Sequence, residues 1–175
     1  MTNWQEDYHQ IMEQTGKAHQ QRREKEQERL QIIKQFYGST VLPALYVFRG
    51  ELEQYERIVQ ILQEGSEEKK GISLLVAYQG EKEFEFRLCL EVDGHGFGKL
   101  YPYYSSSYPG EISVATERET YFRTQEGQKK TIEEVSFEEL LEHVYRHYRE
   151  KLCLELNVTK YIISDGPLNI DDFSC

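Results

Sequence analysis

The hydrophobic positions of this chain change period along its length, and each change predicts a different element. From Trp4 to about Phe36 there is no Pro and one Gly (Gly16), and Gln, Glu, Lys and Arg dominate, which predicts a helix. Its apolar residues gather at the two ends: Trp4, Tyr8, Ile11 and Met12, then Leu30, Ile32, Ile33 and Phe36. Residues 14–29 between them offer almost no apolar face. A helix polar all round bridges packed regions through solvent or is only marginally formed. If helical throughout, this one reaches roughly 45–50 Å.

Gly38-Ser39-Thr40 predicts a break and a cap for the next helix, with Pro43 tolerated in its first turn. Val41, Leu45, Phe48, Leu52, Tyr55, Val59 and Leu62 then recur at alternating steps of four and three, which predicts a second helix over 41–64. Leu42, Val47, Ile58 and Ile61 widen that stripe, which favours a helix lying on a sheet over an inter-chain coiled coil. Gly65 and the charged stretch 66–70 end it.

The period then drops to two. Ile72–Tyr78 is an apolar run, followed by turn residues at 79–82. Over 83–92, Phe84, Phe86, Leu88, Leu90 and Val92 alternate with Glu83, Glu85, Arg87, Cys89 and Glu91, the pattern of an antiparallel strand with one wet face. Further strands are expected at Phe97–Tyr104 and Ile112–Thr116, and a hairpin from Tyr121–Thr124 and Lys129–Glu133 around Gln125-Glu126-Gly127. Ser136-Phe137-Glu138-Glu139 is a capping box. It opens a helix to about Leu152, with Phe137, Leu141, Val144, Tyr148 and Leu152 on one face. A short edge strand at Val158–Ile163 and a loose acidic tail follow. The expected class is therefore α+β: a long N-terminal helix, a second amphipathic helix, a five- or six-stranded antiparallel meander and a C-terminal helix on one face. The expected organisation is an arm over 1–36, one globular domain over 37–156 and a tail over 157–175.

Composition changes this picture in one respect, the placing of charge. The chain has 175 residues and a formal net charge of −10. Residues 1–36 carry six acidic and six basic side chains, so the excess belongs wholly to the rest. An acidic body repels phosphate backbones, which counts against nucleic acid as a partner. The three cysteines (Cys89, Cys153 and Cys175) are scattered and odd in number, which predicts free thiols in a reducing compartment. The first residues lack the basic and apolar blocks of a secretory signal, and no window approaches 18 apolar residues. A cytoplasmic, membrane-free protein is expected.

Candidate chemistry is sparse. His143 and His147 stand four apart on the last helix, a spacing at which two imidazoles can share a metal, but no HExxH surrounds them. Two flanking histidines are the expected reading, with His147 beside the apolar stripe and His143 further out. Asp93-Gly94-His95-Gly96-Phe97-Gly98 has the glycines of a phosphate loop, yet a strand rather than a helix follows, so a hairpin turn is expected. The tyrosines are more informative. Phe97, Tyr101, Tyr103, Tyr104, Tyr108 and Tyr121 crowd adjacent strands where Arg and Lys are scarce, which suits contact with protein.

These patterns point to a non-enzymatic interaction module, an adaptor, inhibitor or assembly subunit, with no cofactor, no metal and no catalytic residue. Its partner is another protein chain, and a homodimer is expected. The contact residues are Trp4, Tyr8, Ile11 and Met12 on the arm and Tyr101, Tyr103, Tyr104 and Tyr108 on the sheet. Two competing classes remain: a metal-dependent hydrolase or nuclease subunit using His95, His143 or His147, and nucleic-acid binding through residues 17–29 with the tyrosines.

Overall fold

The first helix does not stop where the sequence signals a break. In the computed structural model, which describes residues 3–64, 71–93, 98–107 and 120–164, helix α1 runs Asn3–Phe36. It passes through a wide π turn at Tyr37–Val41 into α2, Leu42–Glu53. Pro43 explains the turn. It has no N–H, and its ring crowds the carbonyl four residues back, so an α-helical turn cannot close there. The Leu42 N–H reaches Tyr37 O instead, five residues back, and the Ser39 hydroxyl donates to Gln35 O at 2.8 Å. No side chain caps the junction, so Gly38-Ser39-Thr40 sits inside one rod spanning residues 3–53.

The second helix is shorter than its spacing predicts. Val41, Leu45, Phe48 and Leu52 are buried as expected, but Tyr55 is exposed in a turn, and Val59 and Leu62 belong to strand β1, Ile58–Glu64. The helix ends in a Schellman-type turn. Arg57 N–H donates to Leu52 O at 3.3 Å and Glu56 N–H to Glu53 O at 3.2 Å, with Glu56 in the left-handed region at φ 63°. Glycine normally marks such a stop. Here glutamate occupies it, so the sequence carries no stop signal.

Strands β1, β2 (Gly71–Tyr78), β3 (Glu81–Val92), β4 (Leu100–Ser107) and β5 (Thr120–Tyr121) form one sheet in chain order, each pair antiparallel. This is the expected α+β meander, with β1 taking the first position. Ile112–Thr116 lies outside the described residues. The hairpin at 121–133 is reduced to β5, one bridge between Arg123 and Lys129, and a turn with Gly127 at φ 82°.

Helix α3, Phe137–Ser164, opens with the Ser136 hydroxyl accepting the Glu139 N–H at 3.1 Å. It continues through Val158–Ile163, where a strand was expected, because no Gly or Pro interrupts the chain before Gly166-Pro167. The rod's second half and α3 pack against one face of the sheet. Ile33, Phe36, Leu45 and Phe48 meet Leu140, Val144 and Tyr148 over a floor of Leu74, Val76, Phe84, Phe86 and Leu88, all buried. Each such side chain contributes on the order of 1.5–3 kcal/mol. Ile33 and Phe36 thus belong to the core, whereas every residue from 4 to 25 is exposed. Cys89 carries a half-buried thiol, but Cys153 is disulfide-bonded, which corrects the expectation of three free thiols.

Candidate binding groove between two helices

A one-residue irregularity in the sheet builds the floor of the site. Between β2 and β3, Val76 pairs with Phe84 and Ala77 with Lys82, leaving Glu83 as an extra residue. Such a bulge places two successive side chains on one face. Glu83 therefore turns inward beside Phe84, and both are buried. Its carboxylate accepts the Tyr148 hydroxyl at 2.6 Å, lies 3.4 Å from the Arg57 guanidinium and 3.6 Å from Lys151 Nζ. Lys151 is itself buried and also meets Glu155.

A buried carboxylate is tolerated only with such partners. Burial first, and then the Glu83 carboxylate, push the Tyr148 hydroxyl well above the usual tyrosine range, so it donates and does not ionise. Phe48 and Phe84 meet the Tyr148 ring edge-on at 5.7 and 5.4 Å. Arg57 also donates to Tyr55 O at 2.9 Å, and its guanidinium lies 4.2 Å from the Tyr78 ring centre.

Above this floor, α2 and α3 line an open groove of about 710 Å³. Its walls are Val47, Leu52 and Tyr55 from the α2 side and Leu141, Tyr145 and Leu152 from α3, with Phe48 and Tyr148 at the base. Charges stand only at the rim: Glu51, Glu138 and Glu142 with Arg57 and Arg149. Val47, Tyr55 and Tyr145 are exposed although large and apolar or aromatic. That combination is typical of a recognition site, with apolar walls and a few fixed polar groups.

The eight contact residues expected from sequence are not brought together. Trp4, Tyr8, Ile11 and Met12 share one face of α1 and are 64%, 55%, 59% and 53% exposed. Tyr101 and Tyr103 lie half-buried on the outer face of the sheet, Tyr103 beside Tyr121 at 5.5 Å. Lys129 Nζ stands 3.6 Å from the Tyr121 ring centre and 3.0 Å from Glu91. The Tyr121 hydroxyl and then Lys129 hold the Glu91 carboxyl below its usual range. Tyr104 points the other way: it is buried and stacks on Phe86 at 5.6 Å, a packing residue and not a contact residue. Tyr108 and His95 lie outside the described residues.

His143 and His147 both rest on the Tyr104 ring at 5.0 Å. His143 is not the outer of the two: it packs edge-on against Phe122 at 4.6 Å, and its Nδ1 is buried without a hydrogen-bond partner among the described residues. His147 Nδ1 faces Ser106 Oγ at 3.4 Å and Glu150 at 3.4 Å. Burial, and then the charge of Arg146, lower the His143 pKa; burial outweighs the opposing pull of Glu150 and lowers that of His147. Among the described residues no group of three His, Cys, Asp or Glu side chains is placed to hold a metal. No described helix is long and apolar enough to cross a membrane.

Sequence reasoning missed the groove. Its signal was the surplus of apolar residues on α2, where Val47 falls outside the buried stripe. No protein-family model matches this chain, no curated protein matches its sequence and no solved structure matches its fold.

Proposed function

We propose that this chain is a non-catalytic interaction module that seats an amphipathic helix of another protein chain in the groove between α2 and α3. The observation that carries the reading is the groove: about 710 Å³, apolar along both walls, with charge confined to the rim. Its form is that of helix-in-groove recognition, in which an apolar helical face docks between two helices. The buried Glu83–Tyr148–Lys151 set beneath it, joined by Arg57 from the rim, supports a preformed site, because it ties β3, the α2 end and α3 to one another. His143 and His147 are turned into the helix–sheet packing and do not line the groove, which supports binding over catalysis. The outer tyrosines, Tyr101 and Tyr103, are a second contact surface on the opposite side of the sheet.

Photoreactive side chains introduced at Val47 and, separately, at Tyr103 test this in living cells. A covalent adduct with a protein from position 47 is the expected result. No adduct from position 47 would defeat the groove reading, and an adduct from position 103 alone would move recognition to the outer sheet face.

A further inference from the structure

We infer that the helix seated in the groove is the N-terminal stripe of a second copy of this chain, exchanged reciprocally so that two copies close on each other. This inference rests on the groove reading above and names its occupant.

The stripe has the required form. Trp4, Tyr8, Ile11 and Met12 follow the i, i+4, i+7, i+8 spacing of a single helical face, and all four are exposed. From Trp4 to Met12 the stripe extends about 12 Å, as does the α2 wall of the groove from Val47 to Tyr55. The chain cannot fill its own groove. Met12 and Val47 lie on one uninterrupted rod and are separated by about 50 Å of helix. The occupant must come from another molecule.

Charge then sets the direction. Arg57 and Lys151 both meet Glu83, so the Arg57 end of the groove is also the Arg149 end of α3, and Glu138 and Glu142 lie towards the other. On the arm, Glu6 and Asp7 accompany the start of the stripe, whereas past its end Glu13 and Lys17 pair with each other at 2.7 Å and leave no net charge. Opposite charges meet when the incoming arm runs antiparallel to α2, with Glu6 and Asp7 near Arg57 and Arg149 and away from Glu138 and Glu142. Antiparallel is also the direction that closes. Each rod carries stripe and groove at opposite ends, so two rods side by side satisfy both grooves at once, a two-fold arrangement with no open end. Trp4 and Tyr8 of the two arms, four rings in the pair, bury roughly 600–1,000 Å². With Ile11, Met12 and the groove walls added, the contact reaches the ~1,200 Å² of a stable interface.

Sedimentation velocity on the full chain tests this with two variants, Trp4→Ser/Tyr8→Ser on the stripe and Val47→Glu in the groove. Neither touches a buried side chain, so both keep the fold. The wild-type chain is expected to sediment as a dimer at micromolar concentration, and each variant alone as a monomer, its self-association weakened at least tenfold. Mixed one to one, the variants keep one intact contact of the two, the groove variant's arm in the stripe variant's groove, so they are expected to associate more tightly than either variant alone and more weakly than the wild-type chain. A monomeric wild type, a variant that dimerises as tightly as the wild type, or a mixture that associates no better than either variant alone would each overturn the exchange. A monomeric wild type that nonetheless yields a position-47 adduct with a different protein overturns this inference alone and leaves groove recognition standing.

Discussion

The two halves of the N-terminal rod share one continuous backbone and almost nothing else. Residues 4–25 are exposed on every side, whereas Ile33, Phe36, Val41, Leu45, Phe48 and Leu52 sink one face of the second half into the core. The first half is held by local terms: strong helix formers and spaced pairs such as Glu13 with Lys17 at 2.7 Å and Gln20 with Glu24 at 3.0 Å. Each pair contributes roughly 0.2–0.5 kcal/mol, and an isolated helix of this kind is marginal in water. The second half has tertiary burial, an order of magnitude larger per residue. The lesson is that helical continuity and helical stability have different sources. A rod can be unbroken and still be secure at only one end.

The sharpest way to break the comparison is to damage each half. Leu45→Ala empties a fully buried site and is expected to cost about 2–5 kcal/mol in denaturant unfolding. Deleting residues 1–24, compared at a dilution where both proteins are monomeric, should change that stability by less than about 0.5 kcal/mol. A truncation that unfolds the body would show that the arm is part of the core. Removal of 1–36 is the wrong experiment, because it takes Ile33 and Phe36 with it.

The polar floor allows a comparable test of the buried half. Glu83→Ala leaves Lys151 buried beside no sheet carboxylate and is expected to cost about 3–5 kcal/mol. Tyr148→Phe removes one hydrogen bond to the same carboxylate and should cost about 1–2 kcal/mol. An equal loss in both variants would mean that the Tyr148 hydroxyl, and not the charges of Arg57 and Lys151, accounts for what Glu83 contributes.

Acid should separate the halves again. His143 and His147 have folded-state pKa values below their unfolded ones, so the unfolded chain takes up protons first as pH falls. Stability is therefore complete above about pH 6.5 and declines below it. Thermal melts from pH 7.5 to 5 should show the body losing stability, and replacing both histidines by Gln should flatten that part of the profile. Amide exchange in residues 5–25, corrected for intrinsic rate, should not respond to the same change.

The smallest effect is local. Glu56→Gly relieves the left-handed residue that ends the rod and is expected to raise stability by about 0.5–1 kcal/mol. A loss on this change would mean that the Glu56 side chain has a role that its exposed position does not suggest.

Much of the fold was legible because the relevant physics is local. The alternation from Phe84 to Leu88 and the Ser136 cap were read from spacing alone, and both hold in the structure. The groove was not legible, because it requires two helices distant in sequence to come together over one bulge. Tyr104 was expected among the contact residues and His143 further out than His147, and both expectations failed for a related reason. Which face of an element is inward follows from its neighbours as well as from its own period.

By itself, the sequence determined the helical arm, the polar gap along it, the meander of strands and the cap that opens α3. These depend on propensity and on hydrophobic period within a dozen residues. Only the tertiary structure decided where α2 ends and β1 begins. Steps of four and three continue through Tyr55, Val59 and Leu62, while the same residues also suit a strand in which Val59 and Ile61 face inward. Pairing with β2 from Ile58↔Ala77 to Glu64↔Gly71 satisfies backbone groups that a longer helix would satisfy equally well, so hydrogen bonding alone does not decide between them. With local terms balanced, the contact that buries Val59 against the core prevails, and the chain turns at a glutamate that carries no stop signal.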